Sequence, residues 1–222
     1  MDGYNISGDF NSFEPGYAAD VAEVSGFGAS VKSYVVGLAD PAIRIAGLFD
    51  DEANKAHDIA TDRVGSEVML SASWGTDVGK GGVSGTVSLS EYSVSSGISG
   101  PVSSAMSLSG GGGAGIFEFV RTLWGNVRFQ GTVDAGFNTG DTPSNAGFSA
   151  HLQLIGGNGT IIVQSSTAAA AASVWTDRIN FGSHSAPYAA YVGTYNGTAP
   201  AFLRVITTGV AVGTGWVGYK RF

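Results

Sequence analysis

The side chains of this 222-residue chain that could do chemistry are eighteen carboxylates and three histidines, with no cysteine beside them. Their spacing argues against most reactions. His57, His151 and His184 are far apart, and none stands in a metal-ligand pattern such as H-E-x-x-H. His57, followed by Asp58, reads as a solvated helix residue. Gly147-Phe148-Ser149-Ala150-His151 opens like a nucleophile elbow but lacks the closing glycine, and strand alternation accounts for it better. The glycine run at 110–115 has no Lys-Ser/Thr after it, as a triphosphate-binding loop requires. Asp50, Asp51 and Glu52 could together hold a divalent ion, yet consecutive acids have a simpler use at the start of a helix. A glycan hydrolase needs paired carboxylates, and the second half offers only Glu118, Asp134, Asp141 and Asp177. The expectation is therefore a chain that is not an enzyme, with no catalytic residue, no metal site and no cofactor. A binding protein would need an aromatic patch, for which Trp175, Tyr188, Tyr191, Tyr195 and Trp216 are the candidates; their place in or beside strands predicts core packing for most.

The elements that would position these groups are strands. Residues 34–41 read as an apolar strand ending in a turn at Asp40-Pro41, and 42–49 as a second strand with Ile43 and Ile45 on one face and Arg44 on the other. The period then changes. Asp50 is placed to cap a helix over 51–60, with Ala53, Ala56, Ile59 and Ala60 on its apolar stripe. Alternation returns at 67–74, which predicts Val68, Leu70, Ala72 and Trp74 inward. Strands are also expected at 4–10, 17–24, 83–94 and 102–108, with a glycine-rich loop over 75–82. In the second half they are expected at 127–133, 148–155, 159–164, 178–181, 188–195, 201–207 and 215–222.

Composition supports a folded, mainly β chain: 43% hydrophobic and 11% aromatic residues, 35 glycines and only 13% charged residues. No stretch resembles a signal peptide or is apolar for long enough to span a bilayer, so manufacture and use from the cytosol, without a membrane, is the expectation. Without cysteine there is no disulfide framework, and stability must come from packing or self-association. The net charge of −7 argues against a phosphate-gripping nucleic-acid binder. It is unevenly spread, since residues 1–116 carry fourteen acids against five bases and the remainder four acids against six. With the glycine run between them, the expected domains are 1–115 and 116–222.

The segment Gly37-Leu38-Ala39-Asp40 with Gly47-Leu48-Phe49-Asp50-Asp51, then Leu89-Ser90-Glu91-Tyr92-Ser93-Val94 and Gly100-Pro101-Val102, resembles tail tube (major tail) proteins of long-tailed bacteriophages. The likeness covers about the first 115 residues. The second half is similar to an accessory β-sandwich of some phage tail proteins, with Ala201-Phe202-Leu203-Arg204-Val205 as its most family-like strand. The resemblance implies a tail-tube-type β-sandwich or barrel with one short flanking helix, followed by a second, jelly-roll-like β-sandwich. It also implies a virion protein assembled in the host cytoplasm, partnered by other tail proteins and by itself, as a sixfold ring or, if both halves join the wall, a trimer. Rings would stack around an acidic lumen, with Asp20 and Glu91 among the candidate lining acids, through which DNA passes without specific binding. The alternative is a capsid decoration or carbohydrate-binding host-adsorption protein.

Overall fold

The computed structural model describes residues 1–24, 31–32, 34–75, 77, 79–110, 117–129, 137–138, 147–167, 174–195, 202–208 and 213–221. It is mainly β with one short helix. The chain divides into two compact units, a smaller one of Ile6–Glu67 and Thr86–Gly115 and a larger one of Met1–Asn5, Val68–Gly85 and Ile116–Phe222. Thus the chain passes between units at 115/116, where the glycine run marks a boundary, and also at 5/6, 67/68 and 85/86. The strand expected at 127–133 begins ten residues earlier, at Phe117, and runs to Phe129; residues 130–133 lie outside the described ones.

In the smaller unit, strands β1 (Phe10–Glu23) and β2 (Tyr34–Leu48) form a long antiparallel hairpin. β4 (Gly81–Ser95) contributes its residues from Thr86 onward, and β5 (Ser103–Gly110) lies between it and β2, so the order is β1-β2-β5-β4. Register explains the core. Ile43 pairs with Leu108, which pairs with Leu89, and all three are buried, as are Ile45 and its partner Met106. Helix α1 (Ala56–Arg63) buries Ala56, Ile59 and Ala60, and its His57 Nδ1 lies 3.0 Å from the hydroxyl of Tyr92, the cross-strand partner of Met106.

Three expectations are corrected here. The first strand begins at Phe10, not at 4, and runs through Pro15 to Glu23. β2 does not turn at Asp40-Pro41 but continues, with Asp40 paired to Ala18 and Pro41 to Tyr17. Among the described residues Pro41 lies one residue past the last β2–β5 pair, Ala42 with Ser109, a position where a missing N–H is tolerated. The helix starts at Ala56 rather than 51, because Asp50 Oδ1 accepts the Glu52 N–H in a local turn and Asn54 takes a left-handed φ of 64°. Ala53 is consequently exposed.

The larger unit is a two-sheet sandwich. One sheet joins β3 (Glu67–Ser73, from Val68) and the first residues of β4 to β6 (Phe117–Phe129), β13 (Gly213–Arg221), β8 (Phe148–Gly156) and β11 (Tyr188–Tyr195). The other has the order β10 (Thr176–Ser185), β9 (Asn158–Ser166), β12 (Phe202–Thr208) and β7 (Phe137–Asn138). Phe148, Leu152 and Leu154 of β8 meet Ile161 and Val163 of β9, Phe181 of β10, Leu203 of β12 and Val217 of β13 in one core. In β3 the inward set is Val68, Met69 and Leu70, whereas Trp74, expected inward, is 57% exposed beyond the strand's end.

Candidate functional site

β8 is buried on both faces. Its apolar residues 148, 150, 152 and 154 face the sandwich core, so period-two alternation turns Ser149, His151 and Gln153 to the opposite side, and these are buried too. Such a polar row must find partners. Gln153 finds them in the strand and N-terminal stretch that lie over it: its Nε2 donates to the Met69 carbonyl at 2.9 Å and its Oε1 accepts the Gly3 N–H at 2.6 Å. Ser149 and His151 converge on Glu118 of β6, a residue 6% exposed. Ser149 Oγ donates to Glu118 Oε2 at 2.8 Å, His151 Nε2 lies 3.2 Å from the same oxygen, and Lys220 Nζ of β13 donates to Oε1 at 2.9 Å.

Burial would raise the Glu118 pKa, but the hydrogen bonds from His151, Lys220 and Ser149 outweigh it and hold the carboxyl at about 2. Serine, histidine and glutamate thus meet in a triad's residue types without a triad's order. The carboxylate sits in the middle, the serine donates to it rather than to the histidine, and Ser149 is wholly buried. A nucleophile needs a base in hydrogen-bond reach and access to substrate. What this arrangement does is tie β6, β8 and β13 through one ionised group. In the sequence Glu118 was one of four scattered acids of the second half, and Ser149 and His151 belonged to an elbow-like stretch that strand alternation explained better.

The other sequence candidates do not converge with it. Asp50 lies 3.7 Å from Lys55 and bonds the Glu52 N–H, which accounts for that acidic cluster locally. Lys55 also approaches Asp9 at 3.5 Å, and the Asp9, Asp50 and Glu52 carboxylates raise its pKa. Among the described residues no three His, Asp or Glu side chains are grouped as a metal site. Asp134 and Asp141 lie outside the described residues, as does the side chain of Tyr191. Trp216 is in the interior, with Nε1 donating to Thr122 Oγ1 at 3.3 Å. Tyr188 stacks on His184 with centroids 3.6 Å apart. Tyr195 lies 5.7 Å from Phe148 and under the Arg178 guanidinium, whose Nη1 donates to its hydroxyl at 2.6 Å. Trp175 carries the Arg204 guanidinium over its ring at 4.2 Å.

A different kind of surface marks the smaller unit. Among the described residues β5 pairs with β2 no further than Ala42, so there residues 17–23 of β1 and 34–41 of β2 continue as a two-stranded ribbon. Val21, Tyr34 and Val35 on it are 56%, 55% and 54% exposed. The charge asymmetry persists in the units, somewhat less sharply than in the sequence halves, with twelve acids against four bases in the smaller unit and six against seven in the larger. Glu91, on β4, is exposed; the side chain of Asp20, at a register shift in β1, is outside the described set.

No family model and no curated protein matches the chain. Among solved structures it is similar to a chain from the virion of the native gene transfer agent particle, at 17% identity and a TM-score of 0.38 over 50% of this chain and 84% of that one. It is also similar to the SPP1 Dit (gp 19.1) protein, described as a paradigm of the hub adsorption apparatus in phages infecting Gram-positive hosts, at 10% identity and a TM-score of 0.31 over 100% of this chain and 97% of that one.

Proposed function

We propose that this chain is a self-assembling structural subunit of a phage tail tube, forming stacked rings around an acidic channel for DNA. The observation that carries the reading is the β1–β2 ribbon. A two-stranded ribbon with exposed valines and tyrosine is marginal alone in water and gains stability when a neighbouring chain covers it. Among the described residues β1 is also an edge strand over its whole length, and an edge is satisfied by pairing with another copy. Where that edge meets a different surface of the next copy, the head-to-tail contact gives a ring when the rotation between copies closes. Six copies is the favoured number, with three as the alternative in which both units line the wall.

The charge of the smaller unit supports the same reading. A conduit that held phosphates through Lys or Arg would retard the duplex, while an excess of acids repels it from the wall. The sequence likeness of residues 34–51 and 89–102 to tail tube proteins agrees with it. The test is the double variant Val21→Lys/Val35→Glu, which places charge on the exposed ribbon and leaves both cores intact. Light scattering should show the parent chain growing with concentration and the variant remaining a folded monomer. Equal growth of the two would remove the ribbon from the assembly contact.

A further inference from the structure

A head-to-tail contact needs two different surfaces, and the β1–β2 ribbon supplies one. Its apolar residues have an acid beside them. Beyond the register shift at 19/21, Val21 and Glu23 share a face by alternation, and Tyr34, the cross-strand partner of Glu23, lies on that face too. All three are exposed. The ribbon segments 17–24 and 34–41 contain three acids, Asp20, Glu23 and Asp40, and no base. Lys32, outside them, reaches Glu23 at 3.0 Å with both side chains in water, a pairing worth little.

The larger unit carries a surface of complementary chemistry where β3 ends. The Trp74 N–H donates to the Gly81 carbonyl at 3.0 Å, and on the far side of β4 Gly81 pairs with Arg121 and Val83 with Phe119. Residues two apart on a strand share a face, so Arg121 and Phe119 stand together on that of Gly81. The indole is there as well, since a Cβ placed on Gly81 would lie 3.6 Å from the Trp74 ring. Val83 is buried, but Phe119 is 58% exposed, and Trp74, Arg121 and Gly81 are exposed with it. Two aromatic rings and a guanidinium thus surround a bare glycine, and none of them belongs to the sandwich core.

We infer that this face receives the ribbon of a second copy of the chain, an inference that rests on the assembly reading and names the other half of its contact. Tryptophan and arginine are the residue types that most often dominate a protein interface, and Val21 and Tyr34 offer them apolar and aromatic surface. The Arg121 fork suits the Glu23 carboxylate. Net charge also favours this pairing over ribbon on ribbon. The smaller unit carries twelve acids against four bases and the larger six against seven, so smaller on larger avoids the repulsion of two acidic units. The two surfaces share no residue, so each copy can give its ribbon and receive another.

The test mixes two chains, each crippled on one side. Val21→Lys/Val35→Glu loses the ribbon and keeps the receiving face; Trp74→Ser/Arg121→Glu loses the face and keeps the ribbon. Sedimentation velocity should find each alone as a monomer, and the mixture as a one-to-one dimer of twice the 22.5 kDa of one chain, capped at both ends. Circular dichroism checks the fold of both. Phe119→Ser in the otherwise parental chain, a second probe of the face, should weaken self-association about tenfold or more. A mixture that stays monomeric, a Trp74→Ser/Arg121→Glu chain that dimerises alone through its ribbon, or Phe119→Ser association equal to the parent would each overturn the inference. Failures of the two proposals look different. Tubes grown from the Trp74→Ser/Arg121→Glu chain would sink the receiving face and leave the tube reading standing, whereas a mixed dimer from a parent that forms no rings would do the reverse.

Discussion

Glu118 shows how one ionised group is kept where water is not. Its carboxylate is stabilised by donors from three residues 31, 33 and 102 positions away in sequence, so no local spacing could have announced it. Its folded pKa of about 2 lies below the ordinary 4.5. A depressed carboxyl pKa contributes stability that is complete above about pH 4.5 and drains as the pH falls towards about 2. Glu118→Gln should cost about 2 kcal/mol in urea unfolding at neutral pH, because Lys220 loses its counter-charge and the buried donors lose a charged acceptor. It should also flatten the acid limb of the stability curve in that window. A variant as stable as the parent, with the same acid limb, would mean that the cluster is not the clamp inferred here. Asp9 is a second case. Lys55, the residue before α1, provides no side-chain cap; Asp9, 47 residues earlier, accepts the Ala56 N–H at 2.9 Å through Oδ2. Asp9→Ala should destabilise the smaller unit by about 1–2 kcal/mol, with amide exchange fastest to respond at Ala56. Unchanged protection there would refute the long-range cap.

At the scale of elements, periodicity was legible where one face is apolar and one polar. β12, β8 and the Ile43/Ile45 face follow the alternation, and the apolar set of α1 falls at Ala56, Ile59 and Ala60. Turn signals were less reliable. Asp40-Pro41 reads as a turn by local chemistry, yet pairing with Tyr17 and Ala18 carries the strand through it. The loop over 75–82 reads as unstructured by composition, but Gly79 N–H donates to the Thr122 carbonyl at 2.7 Å and Thr122 N–H to the Lys80 carbonyl at 2.8 Å, which extends the β4–β6 ladder into it. Gly47 is the tightest joint of the hairpin. A methyl there would run into the Asp9 carbonyl and lie 2.5 Å from Phe10 Cα, all of it backbone that cannot rotate away. Gly47→Ala should therefore lower stability by about 1–3 kcal/mol by prising β1 from β2 at its start. Thermal unfolding checks this, and an unchanged midpoint would show that the hairpin can open there without cost.

Across the whole molecule, composition announced the β class and the charge asymmetry. It could not announce the rest. Residues 1–5 and 68–85 belong with the larger unit because Gln153 bonds Met69 and Gly3, a tie made by the buried back of β8 and invisible before β8 is known to be buried on both faces. Assembly is the claim that most needs measurement. Negative-stain microscopy of the purified chain at rising concentration tests it directly. The account predicts closed rings, six-lobed in projection or three-lobed if both units share the wall, that stack end to end into tubes. A chain that stays strictly monomeric at the highest concentration reached would contradict it.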